Sequence, residues 1–268
     1  MRKEVSAMTL VRHELRQGTT AFAVWAGSIA GLLAICIFLF PEMKSQMEAV
    51  NSVFASMGSF TAAFGMDRLN FGTLIGFYGV ECGNVLGLGG AMYASLCAVN
   101  ILSKEENDRT AEFLLSHPVS RARIVTEKLA AVLIQLTMMN LLLYGVSLAS
   151  IVAIGEEIPW KEINLMHLAY FLMQLELAGL CFGLSAFMRK GSAGAGLGIA
   201  AMMYFLNLAA NISEKAEFLK YITPFGYTES ADIVSSGCLD GKLIFIGMLY
   251  AAAAVAAGYW QYCTKDIH

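Results

Sequence analysis

The chain reads as an all-α integral membrane protein of six transmembrane helices, and three observations predict it. Hydrophobic residues make up 57% of the 268 and charged residues only 15%, where a soluble domain carries about 25% charged. Apolar runs of about 20 residues or more, long enough to cross a bilayer core, recur six times. Lys and Arg are shared unequally between the alternate connections that join those runs. One membrane domain, 1–268, accounts for the whole chain, because no internal repeat, low-complexity tract or Pro/Ser-rich linker divides it.

Residues 1–18 are charged and mildly amphipathic, with Val5, Met8 and Leu15 on one face, which predicts an interfacial helix along the membrane surface. The apolar run 19–40 is the first span; it is too long for the core of a signal peptide, and no small-residue cleavage site follows. The remaining spans are 73–102, 129–154, 165–187, 192–211 and 243–263. The second is about 30 residues long, so it must tilt, kink or begin in the interface.

With six spans both ends lie on one side. That side collects twelve basic residues: Arg2, Lys3, Arg12, Arg16, Lys104, Arg109, Arg121, Arg123, Lys128, Arg189, Lys190 and Lys265. The other holds six: Lys44, Arg68, Lys161, Lys215, Lys220 and Lys242. The bias puts both termini and the connection 103–128 in the cytoplasm. On the outer side, 41–72 carries Met43, Met47, Val50, Phe54 and Met57 near helical spacing and suits the interface. In 212–242 an apolar piece broken by Pro224 and Gly226 predicts an interfacial or re-entrant element, which lipid tolerates only where the backbone is shielded.

The connection 103–128 mixes charge and apolar residues as no other part of the chain does. It holds Lys104, Arg109, Arg121, Arg123 and Lys128 against Glu105, Glu106, Asp108, Glu112 and Glu127, around the apolar patch Phe113, Leu114 and Leu115. Residues 105–116 contain good helix formers and no Gly or Pro, which predicts a helix of about three turns. Arg109 can pair with Glu105 or Glu112 on it. Pro118 ends that helix at His117, and Ser120 has the chemistry of an N-cap for a second helix from Arg121. An apolar patch kept in a charged setting points to a docking surface.

Glu105-Glu106, then Arg109-Thr110-Ala111-Glu112-Phe113-Leu114-Leu115-Ser116, then Pro118-Val119-Ser120-Arg121, Ile124-Val125 and Lys128, resemble the coupling segment of type-2 ATP-binding-cassette (ABC) transporter permeases. The match covers about two dozen residues at fixed offsets; it departs at Arg109, where many members of that family carry Gly. The outer loop before the last span also resembles, more loosely, the family's re-entrant element. The resemblance implies a permease subunit that forms a translocation pathway with a second copy or a related chain in a bacterial plasma membrane. It implies that ATP and magnesium bind a separate ATPase subunit, leaving this chain without a cofactor or catalytic site, and that transport is export. Phe113, Leu114 and Leu115 would then dock in the ATPase, with Glu105, Glu106, Arg109, Glu112 and Arg121 as their charged rim.

Small residues recur every four positions through Gly79, Gly83 and Gly87, and again at Gly194 and Gly198, as close helix packing in lipid requires. Spacing leaves open whether the contact lies within one chain or between two. Glu81 and Glu176 fall inside spans two and four, where a carboxylate costs several kcal/mol unless paired, protonated or wet. Either could face a solute pathway, or be a hydrogen-bonded core glutamate; a channel or ion-coupled carrier built on Glu81 is the alternative function. Asn84, Asn100, Gln135, Asn140, Gln174 and Asn207 suit hydrogen bonds between spans. The six cysteines lack metal or redox spacing, and no phosphate-binding loop, zinc-protease motif or Gly-x-Ser-x-Gly is present. No basic, aromatic-interleaved surface of the size nucleic acid needs occurs.

Overall fold

The computed structural model describes residues 8–46, 58, 61, 63, 64, 66, 68–112, 119–188 and 192–265. Three long helices come first: α1 (Thr9–Ser45), α2 (Leu74–Val99) and, after a single turn α3 (Lys104–Asn107), α4 (Arg121–Ala153). Then come α5 (Trp160–Ser185), α6 (Ala193–Ile212), a 3-10 turn over Glu214–Tyr221, a short α7 (Ser230–Ser236) and α8 (Gly241–Thr264). Six of these helices are long and apolar enough to cross a membrane, and no strand occurs among the described residues.

The amphipathic start is not a separate helix. α1 runs unbroken for 37 residues, about 55 Å, far more than a bilayer core needs. It is continuous because α4 lies alongside it in the same direction throughout. Leu10 N–H reaches Glu127, Gly18 sits against Gln135 and Lys44 pairs with Glu156 at 2.7 Å. Each contact keeps nearly the same sequence offset, so the two helices are in register from end to end. The face expected from Met8 and Leu15 is also not the docked one: Val11 and Glu14 are buried instead, and Met8 is exposed. Val5, Met47, Val50, Phe54 and Met57 lie outside the described residues.

α2 and α5 occupy the centre, and α1, α6 and α8 present broad apolar faces outward. α2 is shorter than the run 73–102 and is neither simply tilted nor uniformly helical. It widens into two π-helical stretches, Tyr78–Cys82 and Val85–Gly89. Carbonyls along the first are claimed by side chains: Ser230 Oγ donates to Gly79 O and Asn84 Nδ2 to Val80 O, both at 2.8 Å. Such groups could not be left unsatisfied at this depth. The wide turns also keep the glycines in line. In an α-helix a four-residue stripe drifts about 40° per step, and i→i+5 turns rotate it back.

Gly79, Gly83 and Gly87 face Ser230, Tyr170 and Phe225, so that stripe packs within the chain. Gly194 and Gly198 meet no other element; Gly196, between them, lies against Ser95 and Val99 of α2. The expected stripe on the fifth span is therefore displaced, because α6 turns the Gly196 side toward α2. Two further approaches were not visible as a stripe: Gly183 of α5 and Gly258 of α8 meet face to face, and Gly90 abuts Gln174.

The connection between α6 and α8 folds into the bundle. Thr223, Phe225, Tyr227 and Thr228 are all buried, with Thr223 Oγ1 donating to Met203 O at 2.8 Å. The segment broken by Pro224 and Gly226 thus packs into the bundle, against the Gly79, Gly83 and Gly87 face of α2 and against α6. Inter-span hydrogen bonds form at Asn84, Gln135, Asn140 and Gln174, while Asn100 Oδ1 is buried without a partner among the described residues. Tyr204 Oη donates to Asn84 at 2.8 Å, Asn140 to Gln174 at 2.7 Å, and Tyr93 to Gln135 at 3.4 Å.

Candidate functional site

The helix expected over 105–116 is interrupted: one turn, Lys104–Asn107, comes first, and helix resumes at Ala111 and Glu112, the last described residues before 119. The first turn stops because Arg109 adopts φ +57°, a left-handed conformation in which an α-helix cannot continue. Glycine takes that conformation without cost, which gives a physical reason for Gly at this offset in the resembling pattern. Ala111 is buried beyond the break, while Asp108, Arg109, Thr110 and Glu112 are exposed. Phe113, Leu114, Leu115, Ser116 and Pro118 lie outside the described residues, so the apolar patch has no structural description. The chain resumes at Val119, half-buried at the edge of the core, and Ser120 caps α4 by accepting from Arg123 N–H at 3.3 Å.

The turn α3 is the centre of the arrangement. Successive side chains on a helix leave its axis about 100° apart, and here three in a row reach three different helices. Lys104 pairs with Glu14 of α1 and donates to Gln17 at 2.8 Å. Glu105 pairs with Lys128 of α4. Glu106 holds Lys265, just past α8, through both carboxylate oxygens at 2.7 and 2.8 Å. Arg109 therefore does not pair with Glu105, and among the described residues it makes no ion pair.

Lys128 is the keystone. Its side chain has 0% exposure, and an unpaired ammonium so enclosed would cost several kcal/mol. Its three N–H donors have three acceptors: Glu14 at 3.0 Å, the Ile101 carbonyl at 2.7 Å and Glu105. Glu14, Lys104, Glu105 and Lys128 thus form a closed cluster of two anions and two cations. One oxygen, Glu105 Oε2, is buried without a partner among the described residues.

Two helix ends are fastened beside it. Glu127 accepts Leu10 N–H at 2.9 Å and Arg123 Nε at 2.7 Å, placing a carboxylate at the electropositive start of α1. Arg121 Nη1 donates to the carbonyls of Tyr262, Cys263 and Lys265, the electronegative end of α8. Glu105, Glu106 and Arg121, expected as an outward rim, are thus engaged inside the chain. Of that set, Arg109 and Glu112 point outward. Glu14 and Lys265 were not picked out as candidates in the sequence; Lys128 entered only as the last residue of the resembling stretch.

A second polar region lies near the opposite end. Around the glycine stripe, a small cleft of about 40 Å³ is lined by Asn84, Tyr170, Tyr204, Asn207, Asn211 and Glu229. Asn211 donates to Glu229 at 2.8 Å. Burial pushes the Glu229 carboxyl above its usual range, against the pull of that hydrogen bond. Glu81, on the first wide turn of α2, is half-buried and makes no hydrogen bond or ion pair among the described residues. Glu176 is buried on α5; Tyr227 Oη donates to its Oε1 at 2.8 Å, and Gly247 of α8 leaves room for its carboxyl. Its Oε2 has no partner among the described residues.

Compared with known families, residues 8–267 match the model of the ABC-2 family transporter protein. No curated protein is similar enough in sequence to count as a relative.

Proposed function

Since the chain belongs to the ABC-2 transporter family, we propose that this permease subunit converts the motion of a separate ATPase into export through the connection 103–128. The observation that carries the reading is the anchoring of Lys104, Glu105 and Glu106 to α1, α4 and α8. A force applied to this connection reaches three membrane helices through charged contacts, with no slack linker between. Phe113, Leu114 and Leu115 dock in the ATPase, and Arg109, Thr110 and Glu112 flank them. Val119, Ser120 and Arg121 return the chain to α4 at a fixed angle. ATP and magnesium bind the ATPase, and nucleotide-dependent contact with 103–128 biases two arrangements of the bundle.

In this reading both termini and the connection are cytoplasmic, in a bacterial plasma membrane. A second permease copy or a related chain completes the pathway, and Gly194 and Gly198, open on α6, suit that interface. Glu81 and Glu176 lie near the pathway, the first aimed at no partner and the second tied to the connection between α6 and α8. An ATPase-independent carrier on Glu81 has less support, since nothing in it explains the three-way anchoring.

The test uses the permease reconstituted with its ATPase. Phe113→Asp or Leu114→Asp is expected to abolish stimulation of ATP hydrolysis while membrane insertion stays normal. Undiminished stimulation by both variants removes the docking claim, and transport without any ATPase favours the carrier.

A further inference from the structure

One cavity lies not at the junction but on the far side of α1. A trench of about 620 Å³ runs between α1 and α4, lined by Thr9, Arg12, His13, Arg16, Phe22 and Met138 among others. Arg12 and Arg16, one turn apart, share a face with Thr9 and His13. Phe22 lies about 9 Å beyond Arg16 along the helix, at the level of Met138. The trench is therefore basic at one end and apolar at the other.

The charge at that end is unspent. Around α3, Lys104, Lys128, Arg121, Arg123 and Lys265 all have carboxylate or carbonyl partners, and those pairs consume Glu14, Glu105, Glu106 and Glu127. Arg12, His13 and Arg16 are exposed and make no ion pair among the described residues. α1 overhangs the span 19–40 at this end, so these cations stand at headgroup depth and Phe22 stands in the acyl region. Basic pockets between spans at that depth suit phosphate-bearing headgroups.

We propose that the trench is a binding site for an anionic phospholipid, its phosphate held by Arg12 and Arg16 and an acyl chain lying along Phe22 and Met138. His13 borders the headgroup. A lipid so placed is a wedge against both members of the α1–α4 pair, and it is a resident of the permease rather than its cargo. The site stands independently of the docking claim for 103–128.

Native mass spectrometry reads it directly, on the permease from nanodiscs of phosphatidylcholine with and without phosphatidylglycerol. Wild type is expected to keep phosphatidylglycerol selectively. R12Q/R16Q should weaken that retention about 30-fold, as the loss of two surface cations predicts, with an unchanged melting temperature in phosphatidylcholine alone. Met138→Trp, which fills the apolar end and leaves the charges, should also reduce retention; it decides the matter if the double variant fails to fold. Equal retention by wild type and the folded double variant, or by wild type and Met138→Trp, overturns the site. So does displacement of the lipid by inorganic phosphate alone, or loss of the co-purifying ATPase from R12Q/R16Q while lipid is kept.

Discussion

The α3 end of the bundle and the glycine stripe of α2 are held by different physics. At the α3 end, helices are joined by charges, each with a named partner: Glu14, Lys104, Glu105, Lys128, then Glu106 with Lys265 and Arg121 with the end of α8. Along the stripe, α2 meets α5 and the connection between α6 and α8 through glycines and neutral hydroxyls, as at Gly83 against Tyr170 and Ser230 against Gly79. An ion pair enclosed by protein is strong, specific and intolerant of displacement, because losing one partner strands the other. Glycine contacts draw on shape alone and let surfaces slide by small steps. One region is thus held firmly by charge, and the other is pliable.

The sharpest way to break that contrast is to empty the keystone. Lys128→Met strands Glu105 without a cation and leaves Glu14 with Lys104 alone, and is expected to lower stability by about 3–5 kcal/mol. Thermal unfolding in detergent checks it, and restoration by Glu105→Gln on the Lys128→Met background should be partial, because Glu14 remains. Glu106→Gln with Lys265→Met removes a less enclosed pair. A double-mutant cycle should give a coupling of about 1–2 kcal/mol, with ATP hydrolysis by the complex retained and transport impaired. If both activities fall together, Glu106 serves folding alone.

In the pliable region, Gly83→Val forces a side chain onto the Tyr170 hydroxyl. It should cost about 1–3 kcal/mol and impair transport more than insertion. Glu229 tests the same region through pH. Its raised pKa means the folded chain binds the proton more tightly than the unfolded chain. Stability is therefore greatest at low pH and falls as pH rises from the ordinary carboxylate value through the raised one. Glu229→Gln should flatten that slope in melting temperature. The smallest effect belongs to Arg109→Gly, which removes the cost of a left-handed side-chain residue and should be neutral or stabilising by up to about 1 kcal/mol.

The six crossings were legible because hydrophobic length is a local property, summed over neighbours in sequence. The Ser120 cap was legible for the same reason, and so was the break at Pro224 and Gly226. What failed was everything decided across the bundle. Helix formers over 105–116 predicted one continuous helix, yet α3 ends after one turn at the left-handed Arg109 before helix resumes at Ala111, and the side chains of α3 answer to Glu14, Lys128 and Lys265 across the bundle. α1 absorbed the expected surface helix because α4 lies beside it along its whole length. Of the residues expected to couple, Glu105, Glu106 and Arg121 were named by resemblance, but the partners they meet lie 23 or more positions away. No local pattern encodes that.

The wide turns of α2 carry a mechanical implication. Each i→i+5 turn holds one residue more than the α turns around it, a surplus that can travel along the helix by exchanging hydrogen bonds one at a time. If it passes the glycine stripe, the residues it crosses swivel by roughly a quarter turn and advance by about 1.5 Å, while both ends of α2 stay where they are. A pull at α3 could thus reorient Glu81 without dragging a whole helix through lipid.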